Sequence, residues 1–261
     1  MDLAPLVDDL TASQRLLVLT GAGMGLASGI PTFRGNDPDA VWANDVMEKG
    51  TRRYFERDPV GSWRWYRSRF AKLAGSKPNA GHAALVALEQ WQRSRGRDFL
   101  LVTQNIDTLH RQAGSSHLVE VHGRADRLRC PTRRCANAAP AGFLAAAEVS
   151  WAEFDAAPSF HTLPKCPLCA APLRAHVLWF DEYYTEHVDY DFERVIRFLP
   201  RADLILCVGT SFSVGVTQAT LESPAPKWLI DLSADEPPGG VRQLRLPQEE
   251  ALPALVATVS A

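Results

Sequence analysis

Residues 15–34 read RLLVLTGAGMGLASGIPTFR. An apolar run from Leu16 to Leu19 comes first, and glycines follow it closely at Gly21 and Gly23. Short apolar runs that end at glycine are typical of buried strands in a parallel sheet. Glycines in that place let backbone N–H groups approach a pyrophosphate, and a following helix N-terminus adds a favourable dipole. The stretch therefore predicts a phosphate-binding loop, with a simple tight turn as the alternative.

Similar apolar runs recur at 99–102, 204–208 and 228–230, with helix-like stretches between them at 82–92 and 192–199. Alternating strands and helices indicate the α/β class. We expect a doubly wound, parallel, Rossmann-like sheet, in which ligands bind beyond the carboxyl ends of the strands.

Two segments interrupt this alternation. Residues 35–78 are rich in Trp and Arg, and residues 123–177 hold four paired cysteines. We predict that the helical insertion 35–78 and the cysteine insertion 123–177 form a smaller module, with substrate bound in the cleft between it and the main domain. The main domain would then consist of residues 1–34, 79–122 and 178–261.

Composition excludes some classes of function. The 261 residues are 46% hydrophobic and 22% charged, with a formal net charge of −2. No basic footprint for nucleic acid or acidic membranes is present, so we expect neither as a partner. The acidic start of the chain does not resemble an export signal, and the run at 16–19 is too short to cross a bilayer. We expect a cytoplasmic protein, and the oligomeric state stays open, with a monomer as one expectation.

The cysteine pattern indicates a metal site. Cys130 and Cys135 form one close pair, Cys166 and Cys169 form another, and 30 residues separate the pairs. Four thiolates in this arrangement are typical of a closed, tetrahedral, structural zinc site. Disulfides would need an oxidising compartment. Cys207 lies inside an apolar run and is interpreted as a core residue.

Polar side chains are expected at the carboxyl edge of the sheet. Gln104, Asn105 and Asp107 follow the second strand, and His122 ends an alternating segment that begins at Leu118. Taken alone, Asn105 and Asp107 read most simply as helix caps. His122 has a pKa range suited to proton transfer near neutrality, although a single histidine is more often structural.

These motifs together resemble the sirtuin family. The chain carries Gly-Ala-Gly from Gly21, Ile30-Pro31-Thr32-Phe33-Arg34, an intact Thr-Gln-Asn-Ile-Asp ending at Asp107, His122-Gly123, the four cysteines, and Gly209-Thr210-Ser211. The resemblance implies NAD as a consumed co-substrate, His122 as general base, and Asn105 in the reactive pocket. The NAD contacts that it implies are Gly21, Ala22, Gly23, Ile30, Thr32, Phe33, Arg34, Gln104, Asn105, Ile106, Asp107, His122, Gly209, Thr210, Ser211 and Asp231.

The resemblance also implies a peptide site. Leu178-Trp179-Phe180 matches the segment whose backbone pairs with the substrate peptide, but Asp181 replaces the family's usual glycine and is expected to add charge beside the peptide. Gly25 stands where the family usually has serine, Val216 where it often has proline, and Asp231 where it usually has asparagine. These departures predict altered contacts.

Tyr66 and Arg69 are spaced as in sirtuins that prefer succinyl, malonyl or glutaryl lysine. One helical turn places both on one face, and arginine can bind a carboxylate through two hydrogen bonds. Aromatic packing of Tyr66 with a solvated Arg69 is the alternative interpretation.

The activity implied by the family is NAD-dependent deacylation of acyl-lysine in proteins or peptides, releasing nicotinamide and O-acyl-ADP-ribose. An NAD glycohydrolase or ADP-ribosyltransferase using the same pocket is the main alternative. A non-enzymatic NAD-sensing or peptide-binding module is the second.

Overall fold

The computed structural model describes residues 3–31, 46–138, 142–233 and 236–261. The strands are β1 (Arg15–Thr20), β2 (Asp98–Thr103), β3 (Leu118–Glu120), β4 (Gly123–Arg129), β5 (Leu144–Ala145), β6 (Arg174–Val177), β7 (Leu204–Val208), β8 (Lys227–Ile230) and β9 (Val241–Leu244). The α-helices are α1 (Ala4–Ala12), α2 (Val46–Lys49), α3 (Arg52–Arg57), α4 (Pro59–Phe70), α5 (Ala80–Ser94), α6 (Leu109–Ala113), α7 (Ala152–Ala156), α8 (Phe192–Phe198), α9 (Gly215–Leu221) and α10 (Gln248–Ser260).

The main sheet is parallel throughout, with strand order β3-β2-β1-β7-β8-β9. Its four central strands are buried on both faces, because one apolar cluster packs under α1, α5 and α10 and a second packs under α8 and α9. The predicted doubly wound sheet is confirmed. Since β1 lies between β2 and β7, the loops after these three strands meet at one edge.

The segment that follows β1 differs in conformation from the helix that the sequence predicts. Ala22–Ser28 forms a 3₁₀ helix, which ends at Gly29 with a φ of 77°. A Cβ at Gly25 would lie 3.1 Å from the Cβ of Ile30. The chain therefore turns tightly here, and glycine in place of the family's serine suits this close approach.

The smaller sheet is antiparallel, with strand order β5-β4-β6. Its core joins the two predicted insertions, because Trp63 and Tyr66 of α4 pack in one cluster with Leu128 and Leu173. The indole Nε1 of Trp63 donates to the carbonyl of Leu173 at 2.6 Å. The exact borders of the two domains stay a prediction.

No helix in the described parts of the chain has the length and apolar character needed to cross a membrane.

Candidate active site

The glycine-rich loop after β1 interlocks with the loop after β7. The N–H of Gly21 donates to the carbonyl of Val208 at 3.0 Å, and the N–H of Gly23 donates to that of Gly209 at 2.9 Å. A Cβ at Gly23 would lie 2.6 Å from the Cα of Gly209, which itself has a φ of 59°. Only glycine fits such backbone-to-backbone contact. The sequence motifs Gly21–Gly23 and Gly209–Ser211 therefore form one surface.

Residues at the starts of α5 and α10 hold this loop in place. The amide of Asn79, the residue before α5, donates to the carbonyl of Met24 at 2.9 Å and to the hydroxyl of Ser28 at 3.0 Å. At the start of α10, the amide of Gln248 donates to the carbonyl of Gly23 at 2.6 Å. The loop is thus fixed before any ligand binds.

Gln104 and Asn105 lie against the same loop. The amide of Gln104 donates to the carbonyl of Thr20 at 3.2 Å and to the hydroxyl of Thr210 at 3.1 Å. The amide of Asn105 donates to the carbonyl of Gly21 at 2.9 Å. The polar residues predicted after β2 are therefore brought to the glycine loop rather than to the solvent.

Asp107 caps the helix that follows it, as the simpler interpretation of its motif predicts. Its carboxylate accepts from the N–H of Leu109 at 2.9 Å, which caps the start of α6. Burial raises the pKa of Asp107 to about 6, against the opposing effect of that hydrogen bond. A carboxyl group that takes up a proton near pH 6 can serve as either donor or acceptor to an amide.

His122 lies two residues after β3, beside Gln104. Its Nδ1 is 2.8 Å from the carbonyl oxygen of Gln104, and its Nε2 is 3.0 Å from the hydroxyl of Tyr184. A carbonyl only accepts, so Nδ1 carries the hydrogen and Nε2 is the basic nitrogen. Burial lowers the pKa of His122 to about 4, although the hydrogen bond to Gln104 opposes it. The imidazole is therefore neutral at physiological pH.

The segment 178–180 is held by its own N–H groups. That of Leu178 donates to the carbonyl of His122 at 2.9 Å, that of Trp179 donates to Glu182 at 3.0 Å, and that of Phe180 donates to the carbonyl of Gly50 at 3.0 Å. A substrate strand that pairs here has to use the carbonyl side of the segment.

Glu182 is the centre of a buried ionic network that the sequence analysis did not identify. Its fully buried carboxylate lies 2.5 Å from Arg174, 2.9 Å from Arg52 and 2.9 Å from His187. Burial alone would raise its pKa, but hydrogen bonds from His187 and Arg174 hold the pKa of this carboxyl well below its usual range. The network fixes the segment after Phe180 to β6 and α3. Its four members are spread over more than 130 positions, so no local pattern could have indicated it.

The carboxylate of Asp181 caps α3, a role that its sequence motif does not indicate. Its two carboxylate oxygens accept from the N–H groups of Arg52 at 2.7 Å and Arg53 at 3.1 Å. The hydroxyl of Thr51 accepts from the next N–H, that of Tyr54, at 3.1 Å. Asp181 therefore satisfies the first turn of α3 and opposes the positive end of its dipole.

Tyr66 and Arg69 lie on α4, as their spacing predicts, but in different surroundings. Tyr66 is 4% exposed and packs against Trp63, Trp65 and Phe70. Burial raises its pKa strongly. The guanidinium of Arg69 lies over the ring of Trp65 at 3.9 Å and donates to the Trp65 carbonyl at 3.3 Å. The aromatic packing expected as the alternative is present.

The four paired cysteines converge. Their sulfur atoms all lie within 4.8 Å of one another, with Cys130 to Cys169 at 3.4 Å and Cys135 to Cys166 at 3.6 Å. Tetrahedral zinc with Zn–S bonds of about 2.3 Å places its sulfurs about 3.8 Å apart. The cluster therefore fits a structural zinc ion with four thiolate ligands.

The other predicted contacts are spread along the same edge. Ala22 opens the 3₁₀ helix, Ile30 follows it, and the hydroxyl of Ser211 lies 2.8 Å from that of Ser213. Asp231 follows β8, where its carboxylate accepts from the N–H of Ser233 at 2.7 Å and burial raises its pKa. Ile106 packs at the border of the small module's core. Thr32, Phe33 and Arg34 lie outside the described residues.

Comparisons with known proteins agree with this geometry. The model of the Sir2 family matches residues 21–216. An NAD-dependent protein deacylase of Thermus thermophilus is 41% identical over 206 residues, covering 78% of this chain and 72% of that protein. NAD-dependent protein deacylase 1 of Archaeoglobus fulgidus is 34% identical over 236 residues, covering 89% of this chain and 86% of that protein.

Solved structures extend the likeness to the whole fold. The crystal structure of a Sir2 homologue in complex with NAD has a TM-score of 0.78 and 32% sequence identity, covering 100% of this chain and 94% of that one. The family match spans well over half of the sequence, and it includes the glycine loop, the histidine and the cysteines. This chain belongs to the Sir2 family, the sirtuins.

Proposed function

We propose that this protein is an NAD-dependent protein lysine deacylase with His122 as its general base. The observation that carries the proposal is the hydrogen bond of 2.8 Å from Nδ1 of His122 to the Gln104 carbonyl. It leaves Nε2 as an unprotonated base at the edge where the loops after β1, β2 and β7 meet. The names of the two relatives, both NAD-dependent protein deacylases, support the same activity.

The proposed reaction is the one that the family implies, and it uses these positions. The loops at Gly21–Gly23 and Gly209–Ser211 line the site for the NAD phosphates and ribose, while the N–H groups of Gly21 and Gly23 hold the two loops together. The acyl oxygen of the modified lysine attacks C1′ of the nicotinamide ribose, and nicotinamide leaves. His122 then takes up the proton of a ribose hydroxyl, whose oxygen attacks the resulting imidate. Loss of the lysine amine and addition of one water molecule to the acyl carbon then give free lysine and O-acyl-ADP-ribose, so both NAD and water are consumed.

Product analysis tests this proposal. Incubation with NAD and an acetyl-lysine or succinyl-lysine peptide should yield nicotinamide, unmodified peptide and O-acyl-ADP-ribose in equal amounts by mass spectrometry. His122→Ala should slow formation of the free lysine by at least about 100-fold. Release of free ADP-ribose without deacylation would instead indicate the glycohydrolase, and ADP-ribosylated peptide would indicate the transferase. No NAD turnover by the wild type would indicate a binding module.

The acyl preference is a separate proposal, which is that Arg69 contacts the carboxylate of an acidic acyl group. It is supported by the position of Tyr66 in the same cluster as Trp179, which belongs to the proposed peptide segment. Binding would require the guanidinium to leave the face of Trp65. Arg69→Met should then slow succinyl removal and leave acetyl removal unchanged, and an equal effect on both substrates would contradict the proposal.

Acyl-lysine proteins or peptides are the proposed partners, with no nucleic acid and no membrane among them. Zinc bound by Cys130, Cys135, Cys166 and Cys169 would hold the small module together and leave no ligand position for water. A cytoplasmic location and the oligomeric state stay predictions. Cell fractionation and size-exclusion chromatography would test them.

A further inference from the structure

The basic nitrogen of His122 already has a partner in this chain. Nδ1 carries its hydrogen toward Gln104, so the lone pair of Nε2 is left to accept from the hydroxyl of Tyr184 at 3.0 Å. A neutral imidazole has one such lone pair. A substrate hydroxyl must therefore either displace Tyr184 or pass its proton through it.

Tyr184 is held in place by three neighbours. Its ring stacks on Phe192 at the start of α8, with centroids 4.4 Å apart and an angle of 20°. It lies nearly parallel to the ring of His122, at 22° and 5.7 Å. A Cβ at Gly215, the first residue of α9, would contact the ring at 3.6 Å. Because displacement would break these ring contacts, the packing favours transfer of the proton through the hydroxyl.

The surroundings of Tyr184 keep its phenol protonated and connect it to the loop Gly209–Ser211. Burial raises the pKa of Tyr184, while a hydrogen bond with the backbone N–H of Val216 opposes this effect. Val216 follows the loop Gly209–Ser211, the proposed NAD contact. The hydroxyl of Tyr184 thus lies between His122 and the start of α9, the helix that follows the proposed NAD loop.

We propose that Tyr184 relays the proton from the ribose hydroxyl to His122, an inference that rests on the proposed deacylase function. In the relay the ribose O–H bond breaks as a new O–H bond forms on the tyrosine. At the same time the tyrosine's original O–H bond breaks and an N–H bond forms at Nε2. The tyrosine is unchanged at the end, the ribose oxygen is the nucleophile, and the proton resides on the imidazolium.

The two steps of the reaction separate this role from a structural one. Departure of nicotinamide precedes the proton transfer and is reversible, so labelled nicotinamide should exchange into NAD in the presence of acyl peptide. Tyr184→Phe removes only the hydroxyl. We expect it to retain this exchange and to lose deacylation by at least about 100-fold, the lower end of the usual contribution of acid–base catalysis. Tyr183→Phe, a change at an exposed neighbour, should retain both rates.

A double variant tests whether Tyr184 acts through His122. Adding Tyr184→Phe to His122→Ala should cause no further loss of deacylation, because residues of one relay are not additive. The proposal is overturned if Tyr184→Phe deacylates at the wild-type rate, which would mean that ribose displaces the tyrosine. Equal loss of exchange and deacylation would overturn it as well, because the hydroxyl would then serve folding or NAD binding. A wild type without exchange or deacylation would refute the deacylase function itself.

Discussion

Asp181 stands where the sirtuin motif usually has glycine, and replacing it by glycine should destabilise the protein. The carboxylate accepts two N–H groups at the start of α3, those of Arg52 and Arg53. Loss of an N-terminal cap costs about 1 kcal/mol, with a range of about 0.5–2 kcal/mol. Two N–H groups lose their acceptor here, so Asp181→Gly should lower the free energy of unfolding by about 1–2 kcal/mol.

Urea denaturation followed by tryptophan fluorescence measures this loss, since Trp179 is buried two residues away. A decrease of 1 kcal/mol corresponds to a fall in Tm of about 2–4 °C for a domain of this size. Asp181→Asn keeps one acceptor oxygen, so its loss should be about half as large. Glu48→Gln, at an exposed carboxylate paired with Arg57 in the same module, should stay within about 0.5 kcal/mol of the wild type.

The capping role also separates two accounts of Asp181 in substrate binding. If the residue supports the peptide segment by holding α3, Asp181→Gly should raise KM for peptide more than Asp181→Asn does, with KM for NAD unchanged. If it acts only through its charge, the two variants should shift the preference between acidic and basic peptides equally. Unfolding free energies equal to that of the wild type, together with such a charge effect, would refute the capping argument.

Three further outcomes are expected. Metal analysis should find about one zinc per chain, and Cys166→Ser should lose the metal and unfold the small module at lower urea concentration, whereas Cys207→Ser should keep the metal. Burial lowers the pKa of His82 to about 4, below an unfolded value of about 6.5. The neutral histidine therefore contributes its full stabilisation above pH 6.5, and the free energy of unfolding falls by about 2 kcal/mol as the pH is lowered to 5. In urea titrations, the free energy of unfolding of His82→Gln should fall less between pH 7 and 5. Gly23→Ala forces a Cβ to within 2.6 Å of the Cα of Gly209, so it should cost about 1–3 kcal/mol and weaken NAD binding in calorimetry, while Gly239→Ala, in open space, should do neither.

The main sheet was predictable because each of its central strands is a continuous apolar run. The run 204–208 matches β7. Strands β1 and β2 each extend one residue beyond both ends of the predicted runs, and β8 begins one residue earlier than predicted. The edge strand β9 was missed because its burial alternates, with Val241 buried and Arg242 exposed. Helix α10 was missed because Pro253 lies inside it, where tertiary packing of Leu252 and Leu255 outweighs the low helix propensity.

The site was predictable only where its chemistry is local in sequence. The cysteine pairs and the motif ending at Asp107 are short patterns, and each indicated its place in the fold. His122 and Tyr184 are 62 positions apart in the sequence, and Asp181 is 129 positions from its partner Arg52 in α3. Such contacts depend on how the two modules pack, and no spacing or composition encodes them.

These long-range contacts all involve one segment, residues 178–184. Its first residue donates a backbone hydrogen bond to His122, and its last donates a side-chain hydrogen bond to the same histidine. Between them, Asp181 and Glu182 bind α3. A peptide that pairs with the carbonyl side of residues 178–180 therefore contacts the same segment that orients the base. Peptide binding and base orientation should accordingly be coupled, because neither can shift without moving the other's hydrogen bonds. Peptides that bind the segment poorly should then lower kcat as well as raise KM.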